Sequence, residues 1–304
     1  MVKRPIEEMK DLISSNFQDI IIDRVELIES GWTSNILLVN GNTIFRFPKI
    51  RIAEIKLLKE FELLSILGDC PTQVPRYEYK HTSEHPFGGY PYIPGIPIQS
   101  LPKISNGIIH DLSTILKYLK SKTKETDKLN LLQIYDEITW KEYYNSIIEK
   151  FKQSVGAIIG DKTFEKLKFA MDAVFRNIKK YDIGLIHGDL SRENVLVSND
   201  GNTVKGILDW ADSCVGDINL DIAASIDDFE FQNLKSLQET VFGISGEFKV
   251  DFQRVIFYRA CSPLFNLHFL SRTESEDVLK IEGEQFVKRF GHRFRELERI
   301  TENL

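Results

Sequence analysis

The Pro- and Gly-rich stretch 91–102 divides the sequence into two parts with different apolar patterns. In the first part, short runs rich in β-branched residues alternate with turn residues. Asn40–Gly41, the strongest short signal for a β-hairpin, separates the apolar run 36–39 from the strand-like run 43–47. A further β-branched run, 20–28, precedes them, and a short strand is also predicted over 74–79. This part of the chain therefore predicts antiparallel strands.

Beyond that stretch the apolar residues recur mainly at helical spacing. Three helices are predicted there, roughly over 107–122, 140–153 and 161–181. The first part contains a short amphipathic helix over 7–15 and a longer helical pattern over 52–67, which ends at a break formed by Gly68 and Pro71. The order predicts an α+β protein of two lobes: a β-rich lobe over residues 1–94 and a mainly helical lobe over residues 95–304.

Composition excludes several classes of protein. A chain of 304 residues with 42% hydrophobic and 28% charged residues is typical of a globular protein, not a disordered or fibrous one. No apolar run approaches the ~18 residues of a membrane span, and the N-terminus lacks the apolar region of a secretory signal. The three cysteines are widely separated and match no zinc spacing. This cysteine pattern suits a reducing compartment, so we expect a cytoplasmic protein without a membrane partner. The formal charge of −6 argues against a nucleic-acid partner.

The most informative segment places three polar side chains at the edges of apolar strands. Asp189 follows one strand, Asn194 lies five residues later, and Asp209 lies twenty residues after Asp189. Each residue alone is more typical of a turn or a helix cap. Phosphoryl transfer, however, requires an Asp that accepts the proton of the attacking hydroxyl, and an Asn and a second Asp that hold Mg²⁺ against the phosphates. The joint spacing therefore indicates a phosphoryl-transfer site.

The segments 185–197 and 207–212 together resemble the aminoglycoside phosphotransferase family, a branch of the protein-kinase-like fold. Residues 38–49 and 86–95 are similar to the N-lobe and hinge of the same family, so the resemblance covers most of the chain. The pattern is most similar to the 2''-aminoglycoside phosphotransferases, and next to the macrolide phosphotransferases. The resemblance implies transfer of the γ-phosphoryl group of GTP or ATP to a hydroxyl of an aminoglycoside, and hence antibiotic resistance.

Carried over residue by residue, the resemblance implies that Asp189 is the catalytic base and that Asn194 and Asp209 are magnesium ligands. Protein kinases place a Lys on the third strand to bind the nucleotide phosphates. The matching position here is Arg46, which departs from that pattern, although the guanidinium fork also binds phosphate. Lys49, three residues later, remains the alternative.

The remaining nucleotide contacts are assigned by position along the first lobe. Glu60 is the expected ion-pair partner of the strand cation, with Glu62 as the alternative. No Gly-x-Gly-x-x-Gly segment occurs near the N-terminus, and the turn 31–35 takes its place over the phosphates. The residues expected around the nucleotide are Ser34, Tyr90, Tyr92 and Ile93. The Tyr90 ring would narrow the purine pocket and favour guanine, unless it is an ordinary strand aromatic.

The acceptor site is the least defined part of the prediction. An acidic cluster beyond the second Asp would suit a polycationic acceptor, unless it is a solvated helix face: Asp227, Asp228 and Glu230. Asp217 and Asp221 are expected to cap and brace their own segment, 216–223, which leads into the next helix, and not to touch the substrate. A macrolide phosphotransferase or a metabolic small-molecule kinase would share the catalytic residues. A nucleotide-binding pseudoenzyme is the alternative from a different class.

Overall fold

The computed structural model has a β-rich N-terminal part and a mainly helical C-terminal part, as predicted. It describes residues 4–28, 33–176, 183–191, 193–227, 229, 231, 234–246, 248–273 and 276–301. Within these ranges, no helix has the length and apolar character needed to cross a membrane.

The N-terminal part is a five-stranded antiparallel sheet with one helix on each face. Its elements are α1 (Ile6–Asn16), β1 (Val25–Ile28), β2 (Ser34–Val39), β3 (Thr43–Pro48), α2 (Arg51–Ile66), β4 (Tyr79–His81) and β5 (Phe87–Pro91). The strands lie in the order β1-β2-β3-β5-β4. The predicted hairpin is present: β2 and β3 pair antiparallel, and Asn40 and Gly41 in the turn between them have the positive φ values, 52° and 72°, of a tight hairpin turn. A strand predicted over 74–79 is wrong: Pro75 has no N–H for a ladder, and β4 begins only at Tyr79.

The C-terminal part consists of helices and short strands that carry the polar loops. Its elements are β6 (Ile96–Pro97), α3 (Asn106–Lys122), α4 (Glu137–Ile159), α5 (Asp161–Val174), β7 (Ile183–Ile186), β8 (Val195–Val197), β9 (Val204–Ile207), β10 (Cys214–Asp217), α6 (Ile218–Ser225), α7 (Leu234–Ser245), α8 (Phe252–Thr273) and α9 (Glu276–Thr301). Strand β10 pairs with β7, and β6, β8 and β9 form a second small sheet. These two pairings bring the loop after β7 beside the loop after β9.

Alternation along β3 distributes its side chains between the two faces of the large sheet. Phe45 and Phe47 pack with Met9 and Ile13 of α1 on one face. Ile44 lies on the opposite face with residues of α2 and the neighbouring strands. Arg46 shares that face because strand side chains alternate with a period of two. The strand therefore directs Arg46 toward α2.

Helix α2 belongs to two apolar clusters at once. Leu57 and Phe61 pack beneath the large sheet, with Ile44, Tyr77 and Tyr90. Leu63, half a turn further on, joins the large core of the C-terminal part, as does the flanking residue 67. Because one rigid helix is packed on both sides, it fixes the large sheet relative to the loops that follow β7 and β9.

Candidate active site

The three polar residues singled out in the sequence converge on one cleft. Asp189 follows β7, Asn194 precedes β8 and Asp209 follows β9. The N–H of Leu208 donates to the carbonyl of Asn194 at 2.8 Å, which ties the two loops together. All three residues, with Arg46, line a cleft of about 1310 Å³ between the sheet and the helical part.

Asp189 is held by its neighbours in a protected position. Asn194 Nδ2 donates to the Asp189 carbonyl and to its carboxylate Oδ2, both at 2.9 Å. Burial raises the pKa of Asp189 to about 6. A hydrogen bond from Ser191 opposes this rise, whereas the charges of Asp212 and Asp209 add to it. The carboxylate is thus positioned and has a raised proton affinity, as a general base operating near neutral pH requires.

A buried carboxylate anchors the loop that presents Asp189. Asp221, in α6, accepts the N–H of His187 at 2.7 Å and that of Gly188 at 2.9 Å. Gly188 has a φ of 82°, and a Cβ built there would lie 2.4 Å from the carbonyl oxygen of Asp212. Asp221, which was expected to brace its own segment, therefore braces the loop that presents Asp189.

His187 connects the loops of the two strands as a neutral ring. Its Nδ1 accepts the N–H of Asp189 at 3.2 Å, so Nε2 carries the proton and donates to the carbonyl of Leu208 at 3.0 Å. Burial lowers the pKa of His187, which favours the uncharged form. The ring packs edge-on against Trp210 at a centroid distance of 4.6 Å.

Arg46 bridges two carboxylates with different nitrogens of its guanidinium. Its Nη1 lies 3.1 and 2.8 Å from the two carboxylate oxygens of Glu60, and its Nη2 lies 2.9 Å from Asp209 Oδ1. The Arg46 side chain is 9% exposed and that of Glu60 is fully buried. Burial raises the pKa of Glu60 to about 7 against the opposing charge of Arg46. For Arg46 itself, burial lowers the pKa, but the charges of Asp209 and Glu60 outweigh this effect.

The alternatives considered from the sequence lie elsewhere. Lys49 follows β3 and is not among the residues that line the cleft. Glu62 points away from Arg46, because its Oε2 accepts the N–H groups of Asn130 and Leu131 at 3.0 and 3.1 Å. The structure therefore brings Arg46 and Glu60 to the site.

Asp209 has an unusual backbone conformation and an accessible carboxylate. Its φ of 57° and ψ of 69° are left-handed, a region that non-glycine residues rarely occupy outside turns and functional sites. Burial acts to raise the pKa of Asp209, but the charge and hydrogen bond of Arg46 outweigh it and the pKa is lowered. The side chain is still 44% exposed, so its second oxygen can reach a ligand in the cleft.

The expected nucleotide-side residues line the same cleft. They are Ser34, Tyr90, Tyr92 and Ile93. The Tyr90 ring is buried and packs edge-on against Tyr77 at a centroid distance of 5.0 Å. The N–H of Tyr92 donates to the Asn42 carbonyl at 2.7 Å, so this amide is already satisfied within the protein.

Of the expected acidic cluster, Asp227 reaches the cleft in a neutralised form. Its Oδ1 pairs with Nη1 of Arg293 at 2.5 Å, and its Oδ2 accepts the hydroxyl of Ser262 at 2.9 Å. Asp228 and Glu230 lie outside the described residues. Asp227 thus serves first as a link between the end of α6 and α9.

Several cleft residues were missed by reasoning from the sequence. Lys56 of α2 pairs with Asp212 at 2.5 Å, and both line the cleft. Lys56 lies one helical turn before Glu60, a spacing that places both side chains on one face of α2 and could have revealed it. Glu282 of α9 also lines the cleft, and no local signal marks it, since only tertiary packing brings α9 to this site.

The donor set suits a hard divalent cation that is shared with a ligand. Among the described residues there is no group of three or more His, Cys, Asp or Glu side chains that could hold a metal on its own. Asn194 turns its amide nitrogen toward Asp189, which leaves its amide oxygen on the other side. That oxygen and the exposed oxygen of Asp209 are of the kind Mg²⁺ prefers, and Mg²⁺ is commonly held by one or two protein groups together with phosphates. The residues present therefore fit Mg²⁺ bound with a nucleotide.

Comparisons with known proteins agree with this geometry. Residues 24–248 match the phosphotransferase enzyme family. The GDP complex of wild-type aminoglycoside 2'-phosphotransferase-IIIa superposes with a TM-score of 0.74 at 22% identity, over 96% of this chain and 99% of that one. Macrolide 2'-phosphotransferase MphH from Brachybacterium faecium gives 0.69 at 16% identity, over 91% and 97%. The likeness confirms the predicted kinase-like fold.

Proposed function

The chain belongs to the phosphotransferase enzyme family and is a phosphotransferase; from this premise we propose that it transfers the γ-phosphoryl group of GTP or ATP to a hydroxyl of an aminoglycoside. The observation that carries the proposal is the convergence of Asp189, Asn194 and Asp209 on one cleft, beside a buried Arg46–Glu60 pair. This combination supplies a base, metal-binding oxygens and a phosphate-binding cation.

In this proposal the nucleotide lies between the large sheet and the loops after β7 and β9. The purine contacts the extended segment that contains Tyr90, Tyr92 and Ile93, and Ser34 lies over the phosphates. Arg46 binds the phosphates through the guanidinium that Glu60 and Asp209 hold in place. We accordingly divide the chain after residue 94, into a nucleotide-binding lobe before this boundary and a lobe with the catalytic loop and the acceptor site after it.

Asn194 and Asp209 would hold Mg²⁺ with the nucleotide. When bound, Mg²⁺ neutralises charge on the phosphate oxygens. The protein contributes the placement of the two oxygens: Asn194 is fixed by its hydrogen bonds to Asp189, and Asp209 by its ion pair with Arg46.

The acceptor hydroxyl attacks the γ-phosphorus in line with the leaving group. Asp189 orients this hydroxyl and accepts its proton, the new bond forms between the acceptor oxygen and phosphorus, and the bond to the β-phosphate oxygen breaks. The products are the phosphate ester and GDP or ADP. Asn194 and Ser191 hold the Asp189 carboxylate, and His187 fixes the loop that carries it.

The charge of the cleft supports a cationic acceptor. Among its described lining residues, carboxylates outnumber the two cationic side chains, Arg46 and Lys56. The carboxylates are Asp189, Glu193, Asp209, Asp212, Asp227 and Glu282. Arg46 offsets the charge of Asp209 and Arg293 offsets that of Asp227, so the excess negative charge lies on the other carboxylates. An aminoglycoside presents several ammonium groups, which this excess charge would attract and orient. The position of Asp227 within the cleft agrees with the proposed acceptor site, to which Asp228 and Glu230 are also assigned.

A macrolide is the second candidate, because one wall of the acceptor region is apolar and exposed. Phe265 of α8, Val278 of α9 and Tyr143 of α4 line the cleft although 42%, 39% and 38% of their respective surfaces remain accessible. An acceptor with a large apolar face would cover these side chains.

The proposed location is the cytoplasm. The cysteine pattern favours this reducing compartment, where the nucleotide donors also are.

The proposal is tested by phosphoryl transfer to aminoglycosides, macrolides and common hydroxyl metabolites, with GTP and ATP in parallel. The purified protein should modify at least one aminoglycoside. Asp189→Asn should lower kcat by about 10²- to 10⁴-fold, because the general base is lost, while nucleotide binding and the unfolding transition remain as in the unchanged protein.

The other outcomes distinguish the alternatives. Transfer to macrolides alone, or to a metabolite alone, would replace the acceptor and retain the mechanism. Nucleotide binding without transfer to any acceptor would support a pseudoenzyme. Near-normal transfer by Asp189→Asn would contradict the mechanism itself.

A further inference from the structure

An ion pair between Lys56 and Asp212 lies inside the cleft. Lys56 Nζ is 2.5 Å from Asp212 Oδ1, and both residues line the cleft. Lys56 comes from α2, whereas Asp212 ends the short helical turn that follows Asp209. The pair therefore joins the sheet side of the cleft to the loop that follows β9.

Asp212 lies close to the group that the acceptor hydroxyl must reach. Asp212 and Asp189 line the same cleft. The backbone of Asp212 also touches the catalytic loop, since its carbonyl oxygen lies 2.4 Å from where a Cβ of Gly188 would be. Because Gly188 directly precedes Asp189, a group bound to Asp212 would lie in the part of the cleft that Asp189 faces.

This pair is more easily opened than the other ion pairs of the cleft. Lys56 is 37% exposed and Asp212 is 52% exposed, whereas Arg46 is held by two carboxylates in a buried position. Asp227 is likewise held, by Arg293 and Ser262. Solvent-exposed ion pairs add little stability, and a lysine ammonium on its flexible stem can move aside.

We propose that Lys56 is a built-in counter-ion of Asp212, which an ammonium group of the acceptor must displace in order to bind. Lys56 is then a specificity-determining residue: an acceptor with an ammonium group near the reacting hydroxyl replaces it at Asp212, and a neutral acceptor does not. This inference rests on the proposed function, because it concerns the acceptor of the same site.

The test compares Lys56→Met with the unchanged protein, using kanamycin as the probe. Binding of kanamycin without nucleotide is measured by calorimetry, and KM and kcat by phosphoryl transfer. Loss of the competing ammonium should tighten binding and lower KM by about two- to fivefold at low ionic strength, with the effect in KM rather than in kcat. The gain should shrink as salt is added.

Two further variants separate this effect from changes in net charge. Lys168→Met also removes one positive charge, from a lysine that pairs with Glu149 at 3.1 Å outside the cleft, and it should leave KM unchanged. Asp212→Asn should weaken kanamycin binding, and adding Lys56→Met to it should bring no further gain, because the two residues act as one pair.

The outcomes are distinct. A raised or unchanged KM in Lys56→Met, with an active unchanged protein, would overturn the inference alone. A lowered kcat at unchanged KM would overturn it too, and would assign Lys56 to the phosphates. An unchanged protein that neither binds nor modifies kanamycin or any other aminoglycoside would overturn the inference together with the proposed acceptor.

Discussion

The carboxyl groups of Asp189 and Asp209 have pKa values that their surroundings move in opposite directions. Burial raises that of Asp189 to about 6, whereas Arg46 lowers that of Asp209 against the effect of burial. In the proposed mechanism the two groups differ in role, since one must take up a proton and the other must remain charged beside a cation. The difference is caused by the guanidinium of Arg46, which contacts Asp209 but not Asp189.

The first prediction concerns pH. Asp189 accepts a proton only in its ionised form, so kcat/KM should fall as the pH is lowered through about 6. Ser191→Ala removes a hydrogen bond that lowers this pKa, so the acidic limb should move to higher pH. The measurement is the pH profile of kcat/KM for both proteins.

Ser191→Ala is needed to assign the acidic limb to Asp189, because nucleotide phosphates also titrate near pH 6. A limb caused by the nucleotide would be the same in both proteins. Ser65→Ala, which removes a hydroxyl that donates to the carbonyl of Glu62 away from the cleft, is the matched control. Identical profiles for all three proteins would remove Asp189 from the assignment of this limb.

Arg46 on β3 stands where protein kinases have a lysine, and its contacts show what the arginine can do that a lysine cannot. One nitrogen of Arg46 contacts Glu60 and another contacts Asp209. A lysine ammonium is a single point charge and has no such fork. The guanidinium therefore connects α2 to the loop after β9 in one planar group.

Among the elements, the loop between β7 and β8 depends most on one backbone conformation. Gly188 combines a positive φ with close packing against Asp212, and its N–H is held by Asp221. Gly188→Ala should destabilise the protein by about 2–4 kcal/mol, from left-handed strain and from the displaced contact together. Activity should fall as well, because Asp189 is the next residue.

Gly160 provides the control for this change. It has a φ of 84°, but a Cβ there would meet no atom within 4 Å. Gly160→Ala should lower the free energy of unfolding by only about 1–2 kcal/mol, which is the strain alone, and activity should persist. Urea denaturation measures both variants. Equal losses of stability would mean that the catalytic loop moves aside at no energetic expense.

The sequence predicted elements where local patterns are strong. The Asn40–Gly41 hairpin and the apolar strands around Asp189 and Asp209 have clear local signals, and the structure contains both. The choice between Arg46 and Lys49 needed the strand face, which alternation along β3 supplies. By contrast, the pairing of Asp227 with Arg293 joins residues 66 positions apart on elements whose packing no local pattern specifies. Glu282 of α9 reaches the cleft in the same way.

At the scale of the whole molecule, the cleft lies where the sheet meets the helical part, so a ligand that fills it should stabilise the complete fold. A nucleotide present at 100 times its Kd should raise the free energy of unfolding by about 2.7 kcal/mol. For a protein of this size, that corresponds to a rise in Tm of about 4 °C. Thermal denaturation with GDP and with ADP, each with Mg²⁺, measures this shift.

Removing the metal should reverse part of the shift. Chelation with EDTA should lower the Tm of the nucleotide-bound protein toward that of the free protein, because the proposed metal oxygens of Asn194 and Asp209 then face the phosphates without a cation. Asp209→Asn should show a smaller difference between Mg²⁺ and EDTA. Equal Tm values with and without Mg²⁺ for both proteins would exclude this pair of residues as the metal site.

The double membership of α2 has a consequence for how the chain can be divided. A fragment ending at the proposed boundary, residue 94, would retain the whole of α2 but leave Leu63 and residue 67 without the core they join. The complementary fragment would expose the matching cavity. We therefore expect neither fragment to fold on its own as a domain at the end of a linker does. The two fragments have complementary apolar surfaces, however, so we expect them to associate when they are produced together. Their association would rebuild the cleft, and enzyme activity would report it, as in a split enzyme.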